Sequence, residues 1–295
     1  MSYTLISAAA APNNTTNAQF QAWGSTISNA ISNSGWLIAT GVGTQINWAT
    51  VAAPGASNTP RGYEIWKMND SLQGTAPIYL KIEYGSGGAS AGPGLWVTLG
   101  NGANATGNIT GNTSQRFFFF STATSATAYP SYFSGANNRF GMSLFWGAAA
   151  ATALQFGVER TLDANGTPTA DGAFIFAGFG TTHNQVSWTP TAGNTTAYET
   201  SWGFLTPDVT INTGRVGGVS GTQLAAYPCF FTVGGPLYPP STLFLCYFNE
   251  EFGAGSPAIL PFGNTTMTYM PLGNTVSSSA SVRGGGRTCL MMRWD

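Results

Sequence analysis

Gly62-Tyr63-Glu64-Ile65-Trp66-Lys67-Met68-Asn69-Asp70-Ser71-Leu72, with the following run Pro77-Ile78-Tyr79-Leu80-Lys81-Ile82-Glu83-Tyr84, decides the fold class of this chain. In the second run Ile78, Leu80, Ile82 and Tyr84 fall on one face, and Tyr79, Lys81 and Glu83 on the other. This is the period-2 pattern of a half-buried strand. Tyr63 to Met68 reads as its partner across a polar corner. Both lysines of the chain (Lys67, Lys81) and two of its six glutamates (Glu64, Glu83) sit in these runs. Antiparallel pairing would therefore set opposite charges across the two strands.

Upstream, residues 16 to 35 carry the one convincing helix. Thr16 with Gln19 three positions on makes a capping box, and Gly35 is a natural stop. At about 100° per residue, Phe20, Trp23, Ile27, Ala30 and Ile31 form one apolar stripe, with Gln19, Gln21, Ser25, Ser28, Asn29 and Ser32 mostly away from it. The helix should dock by that face, either on its own domain's sheet or on a neighbouring subunit.

Downstream, the polar run Asn101 to Gln115 reads as a long loop. Its Asn104-Ala105-Thr106, Asn108-Ile109-Thr110 and Asn112-Thr113-Ser114 fit the N-glycosylation pattern, but without a secretory signal they are Asn/Thr-rich turns. Apolar strand candidates follow at Arg116–Phe120, Phe140–Trp146, Leu154–Glu159, Phe174–Phe179, Val186–Trp188, Trp202–Leu205, Pro228–Val233, Leu243–Phe248, Met267–Met270 and Thr288–Trp294. Between Leu154–Glu159 and Phe174–Phe179, the segment Leu162 to Gly172 has the turn chemistry of a long hairpin, tightest at Asn165-Gly166. Many short strands between Gly/Pro/Asn-rich turns predict an all-β fold, an antiparallel β-sandwich or jelly roll with one N-terminal amphipathic helix. The expected organisation is an arm and helix over 1–35 and a β domain over 36–295, with two β subdomains split near 160–172 as the alternative. No repeat of fixed period and no long heptad tract interrupts this reading.

Only 7% of the 295 residues are charged, against about 25% in an ordinary soluble domain. The chain nevertheless carries 19 Phe, 11 Tyr and 9 Trp, which is not the composition of a disordered segment. Two readings stay open: a subunit whose surface is largely covered by neighbours, or a neutral secreted β protein. The net charge of -1 is scattered, so nucleic acid is not an expected partner. No run reaches the length of a membrane span. The first residues lack the cationic and apolar regions of a signal peptide, which points to a protein made in a cytoplasm. Cys229, Cys246 and Cys289 lie in apolar runs as small buried hydrophobes; a Cys229–Cys246 bridge stays open but is disfavoured in a reducing compartment.

One resemblance adds to this. Phe20-Gln21-Ala22-Trp23-Gly24-Ser25, Gly35-Trp36, Gly43 to Val51, Gly62 to Asp70, Ala76-Pro77, Leu80 to Gly87 and Leu95 to Gly100 together resemble a family of tailed-bacteriophage virion proteins of about this length. The likeness covers roughly the first 110 residues, and Cys289 to Asp295 is similar to that family's C-terminus. The resemblance implies a structural component of the particle, more often of the tail than of the head. With the low charge and abundant aromatics it gives the expected reading, a tail-associated or head-decorating subunit that binds copies of itself and other virion proteins and is assembled in the host cytoplasm. It implies no catalytic residues.

The residues themselves give no strong site, and neither a cofactor nor a metal is expected. His183 is the only histidine and lies on a polar turn. Together with three dispersed cysteines it gives no zinc spacing. Glu250-Glu251 are neighbours on a strand end and point to opposite faces, which fails the across-cleft separation that a glycosidase requires. The Gly-rich runs at 85–88, 217–218 and 284–287 lack the phosphate-loop form. Tyr129, Tyr132 and Trp188 are candidates for stacking on host-surface glycan in a receptor-binding tail-tip module, the alternative to a purely structural role. Phe20, Trp23, Ile27, Ile31 and Trp66 are the interface candidates.

Overall fold

The computed structural model describes residues 3–8, 16–55, 58–87, 92–114, 116–120, 130–145, 153–163, 165, 167–179, 188–189, 193–194, 226–228, 244–247, 258–262, 265–271 and 289–294. In chain order the elements are β1 (Tyr3–Ala8), α1 (Asn17–Asn33), β2 (Leu37–Ile38), β3 (Pro60–Lys67), β4 (Tyr79–Ser86), β5 (Pro93–Ala103), β6 (Ile109–Thr113), β7 (Phe117–Phe120), β8 (Pro130–Ala136), β9 (Arg139–Phe145), β10 (Ala153–Leu162), β11 (Pro168–Phe179), β12 (Trp188–Thr189), β13 (Gly193–Asn194), β14 (Ala226–Pro228), β15 (Phe244–Tyr247), β16 (Ala258–Phe262), β17 (Thr265–Pro271) and β18 (Cys289–Arg293). The described chain is thus mostly β with one helix, and the described ladders are antiparallel.

The described strands form three sheets. The first runs β1-β8-β9-β10-β11-β12-β13, the second β2-β3-β4-β5-β6, and the third β14-β15-β18-β17-β16. In the second sheet β5 shares one edge between two partners: Gly94 to Val97 pairs with β7, and Gly100 to Ala103 with β6. The run 101–115, expected as a loop, is therefore mostly a hairpin. Its polar side chains face solvent on β6, and Asn104 closes the turn by accepting from the Thr106 and Asn108 N–H groups on Oδ1.

Helix α1 forms where its ends are chemically specified. Thr16 and Gln19 make the reciprocal capping box, and Ser34 ends the helix. Gly35 follows with φ 92°, a left-handed conformation that favours glycine. The stripe Phe20, Trp23, Ile27, Ala30 and Ile31 is buried. It meets Trp66, Met68, Ile78, Leu80, Ile82, Tyr84, Leu95, Val97 and Leu99 of the second sheet and its corner, and Phe133, Phe140, Met142, Leu144, Phe156 and Val158 of the first, in one continuous core. Each such side chain contributes about 1.5–3 kcal/mol on leaving water.

The pairing of β3 with β4 holds as expected, but the charge pairs do not. Tyr63 faces Glu83, Ile65 faces Lys81 and Lys67 faces Tyr79, while Glu64 faces Ile82. The register thus sets each charge opposite an uncharged residue. Lys81 lies 3.8 Å from Glu83 on its own strand, and Arg116 reaches Glu83 at 2.7 Å. Glu64 turns inward.

α1 packs in the same core as the two sheets, and residues 162–168 turn between β10 and β11 of one sheet. Asp163 orders that turn by accepting from the Asn165 and Thr167 N–H groups, both at 2.8 Å.

Candidate functional site

The chemistry concentrates at two buried acids of the opening stretch. Alternation along β3 puts Glu64 on the same face as Trp66, toward α1, where Glu64 is 4% exposed. Ser28 Oγ of α1 donates to Glu64 Oε1 at 2.7 Å, and Trp48 Nε1 to the same oxygen at 2.9 Å. Tyr84 Oη donates to Oε2 at 2.8 Å and Trp66 Nε1 at 3.3 Å. A buried carboxylate here sits among four uncharged donors. Such bonds to a charged acceptor are stronger than neutral ones, and they tie helix, sheet and the 47–55 segment to one point.

Burial, the Glu64 charge and the hydrogen bond to Glu64 all push the Tyr84 phenol well above its ordinary value of 10.0. A raised pKa favours the neutral phenol in the fold, so the unfolded chain loses its proton first as pH rises. This contribution is intact below pH about 10 and is lost above it. Alkaline unfolding curves are therefore expected to steepen above pH 10 in the native chain and less so in Tyr84→Phe. Equal curves for the two proteins would refute this.

The second acid, Asp70, opens the polar corner. Arg160 of β10 donates from Nε and Nη2 to its two oxygens, and from Nη2 to the Ala76 carbonyl at 3.0 Å. The side chains are 0% and 3% exposed. The β8–β9 turn docks beside them. Asn69 N–H donates to the Asn137 carbonyl at 3.1 Å, Arg160 N–H to that of Asn138 at 3.0 Å, and Trp36 Nε1 to that of Ala136 at 3.0 Å. The corner thus joins the first two sheets by polar contacts inside an apolar core.

The five interface candidates are placed elsewhere than a surface. Phe20 and Ile31 are 0% exposed, Ile27 1%, Trp23 2% and Trp66 4%. Their apolar faces are already covered by the chain's own two sheets, so they are core residues. Tyr132, a candidate for stacking on glycan, lies on β8, is 5% exposed and packs edge-on against Trp294 at 6.4 Å, so it is a core residue. Trp188 lies on β12. Tyr129, His183, Glu250, Glu251 and Cys229 lie outside the described residues, as does any Cys229–Cys246 bridge. Cys246 and Cys289 lie on the neighbouring strands β15 and β18.

Among the described residues no three His, Cys, Asp or Glu side chains gather as metal ligands, and no helix is long and apolar enough to cross a membrane. The chain matches no protein-family model and no curated protein. The network around Glu64 escaped the sequence reading, although one signal was present: a lone carboxylate two residues before Trp66 on the strand's apolar face.

Proposed function

We propose that this chain is a non-enzymatic structural subunit of a tailed-phage virion, tail-associated or head-decorating, in which the first two sheets pack as a β-sandwich. It works by holding copies of itself and other virion proteins together. The observation that carries this is the apolar edge of the second sheet. Among the described residues β2 pairs with β3 alone, and its Leu37 and Ile38, 44% and 41% exposed, are the large hydrophobics left in water. An edge strand presents unpaired main-chain groups to another chain, and apolar side chains beside them suit a dry contact. Two further features support the reading. Most of the N-terminal residues that resemble the phage family fold into the helix and second sheet, and Glu64, Asp70 and Glu83 are each engaged by the chain's own donors.

The test is the mass of the purified protein in solution. At tens of micromolar, light scattering should give a multiple of 30.7 kDa, and Leu37→Lys with Ile38→Lys should shift the distribution toward one copy. A native chain that stays at one copy throughout overturns the assembly reading. Subnanometre imaging of particles should then place it on tail or head.

A further inference from the structure

The two faces of the first sheet differ in character. Phe133, Met142 and Phe156 enter the core that α1 shares with the second sheet. Strand alternation therefore puts Tyr132, Ser134, Gly141, Ser143 and Gly157 on the opposite face. There the register sets Ser134 opposite Gly141, Gly141 opposite Gly157, and Tyr132 opposite Ser143. The two glycines make a bare floor, with Ser134 beside it on β8 and Ser143 two residues along β9. This floor is shut off from solvent. Ser134 and Ser143 are both 0% exposed, and Gly141 and Gly157 are buried. Yet neither serine hydroxyl has a hydrogen-bond partner among the described residues.

A buried hydroxyl left dry keeps the full cost of its lost hydration. The two serines cannot satisfy each other directly, because diagonal neighbours across an antiparallel ladder stand about 7–8 Å apart, somewhat less at Cβ. One water between them closes such a gap with two hydrogen bonds of about 2.8 Å each. A buried water needs about two to four polar partners and room of its own, and the side chains missing from the two glycines leave room over the floor. One row further on, Arg139 and Glu159 face each other, 8% and 5% exposed. Flanking charges of opposite sign favour a neutral guest over an ion.

We propose that Ser134 and Ser143 hold an internal water over Gly141 and Gly157, so that this face of the first sheet carries a built hydration site. The water links β8 to β9 through their side chains, in addition to the main-chain ladder, and it accounts for two serines standing buried on a face with no protein partner for either.

The test compares the full native chain with Ser134→Ala, Ser143→Ala and the double variant. If the hydroxyls hold a water, each single change leaves that water and the other serine short of a partner, and the folding equilibrium constant from urea unfolding should fall by about fivefold or more. The second change should then cost less than it does alone, because both remove one shared bridge. Hydroxyls buried dry predict the reverse: each alanine removes an unsatisfied group, and the constant holds or rises. Either of those results overturns the proposal. Magnetic relaxation dispersion of the water oxygen reads the guest itself. With both hydroxyls gone the floor is apolar and stays dry, so the long-lived water signal of the native chain should drop by at least one molecule in the double variant. An unchanged signal overturns the site, and the single variants decide the matter if the double variant does not fold.

Discussion

Asp70→Ala is expected to lower the unfolding free energy by about 3–5 kcal/mol, the range for breaking a buried ion pair from one side. The reason is what it leaves behind. The Arg160 side chain is 0% exposed, and without Asp70 its guanidinium keeps, among the described residues, only the Ala76 carbonyl. Its Nη1 already lacks a partner. The cost is thus an uncompensated buried cation, more than the worth of the pair itself. Arg160→Met combined with Asp70→Ala should recover much of the loss, since a thioether of similar length needs no partner. Urea unfolding of the native chain, the single variant and the double variant checks this. A double variant no more stable than Asp70→Ala would show that the corner is held by packing rather than by charge. Because a typical domain has only about 5–15 kcal/mol to lose, Asp70→Ala should also reduce soluble yield.

What could be read along the chain was local. Thr16, Gln19 and Gly35 specify α1 within a few residues, and Ile78, Leu80, Ile82 and Tyr84 declare their buried face by alternation alone. The Asp70–Arg160 pair could not be read in the same way. Its members are 90 positions apart, and an arginine at a strand end looks like any solvated cation until the β8–β9 turn is seen beside the corner. β6 and β8 were missed for a related reason. Ile109 to Thr113 and Pro130 to Ala136 are rich in Ser, Gly, Asn and Thr, and their place in a sheet is fixed by main-chain ladders that composition does not register. β1 was missed too, because it pairs with β8, more than 120 positions later. The five interface candidates show the limit from the other side. An apolar stripe states that a face will be dry, but whether a neighbour or the same chain covers it depends on topology.

Glu64→Leu is expected to cost on the order of 4 kcal/mol or more, because it leaves the indole N–H groups of Trp48 and Trp66 and the hydroxyls of Tyr84 and Ser28 without their acceptor, at about 1–3 kcal/mol for each group that stays buried. Leucine fills the apolar volume, so a small loss would mean that water or a shifted side chain satisfies the donors. Glu64→Gln separates acceptor geometry from charge. Its carbonyl can still take two donors, but its NH₂ would face the other two, and an indole N–H can only donate. A loss of about 1–3 kcal/mol is expected. Removing the charge should also let the Tyr84 phenol titrate nearer its ordinary value, since the Glu64 charge is one of the causes of its rise. Burial, the larger cause, remains, so the return is incomplete. If Glu64 is the shared node, the effects of Glu64→Gln and Tyr84→Phe should fall short of additivity, because both remove the same bond. Additive losses would mean that the two side chains stabilise the fold independently and that helix, sheet and the 47–55 segment are not gathered by one carboxylate.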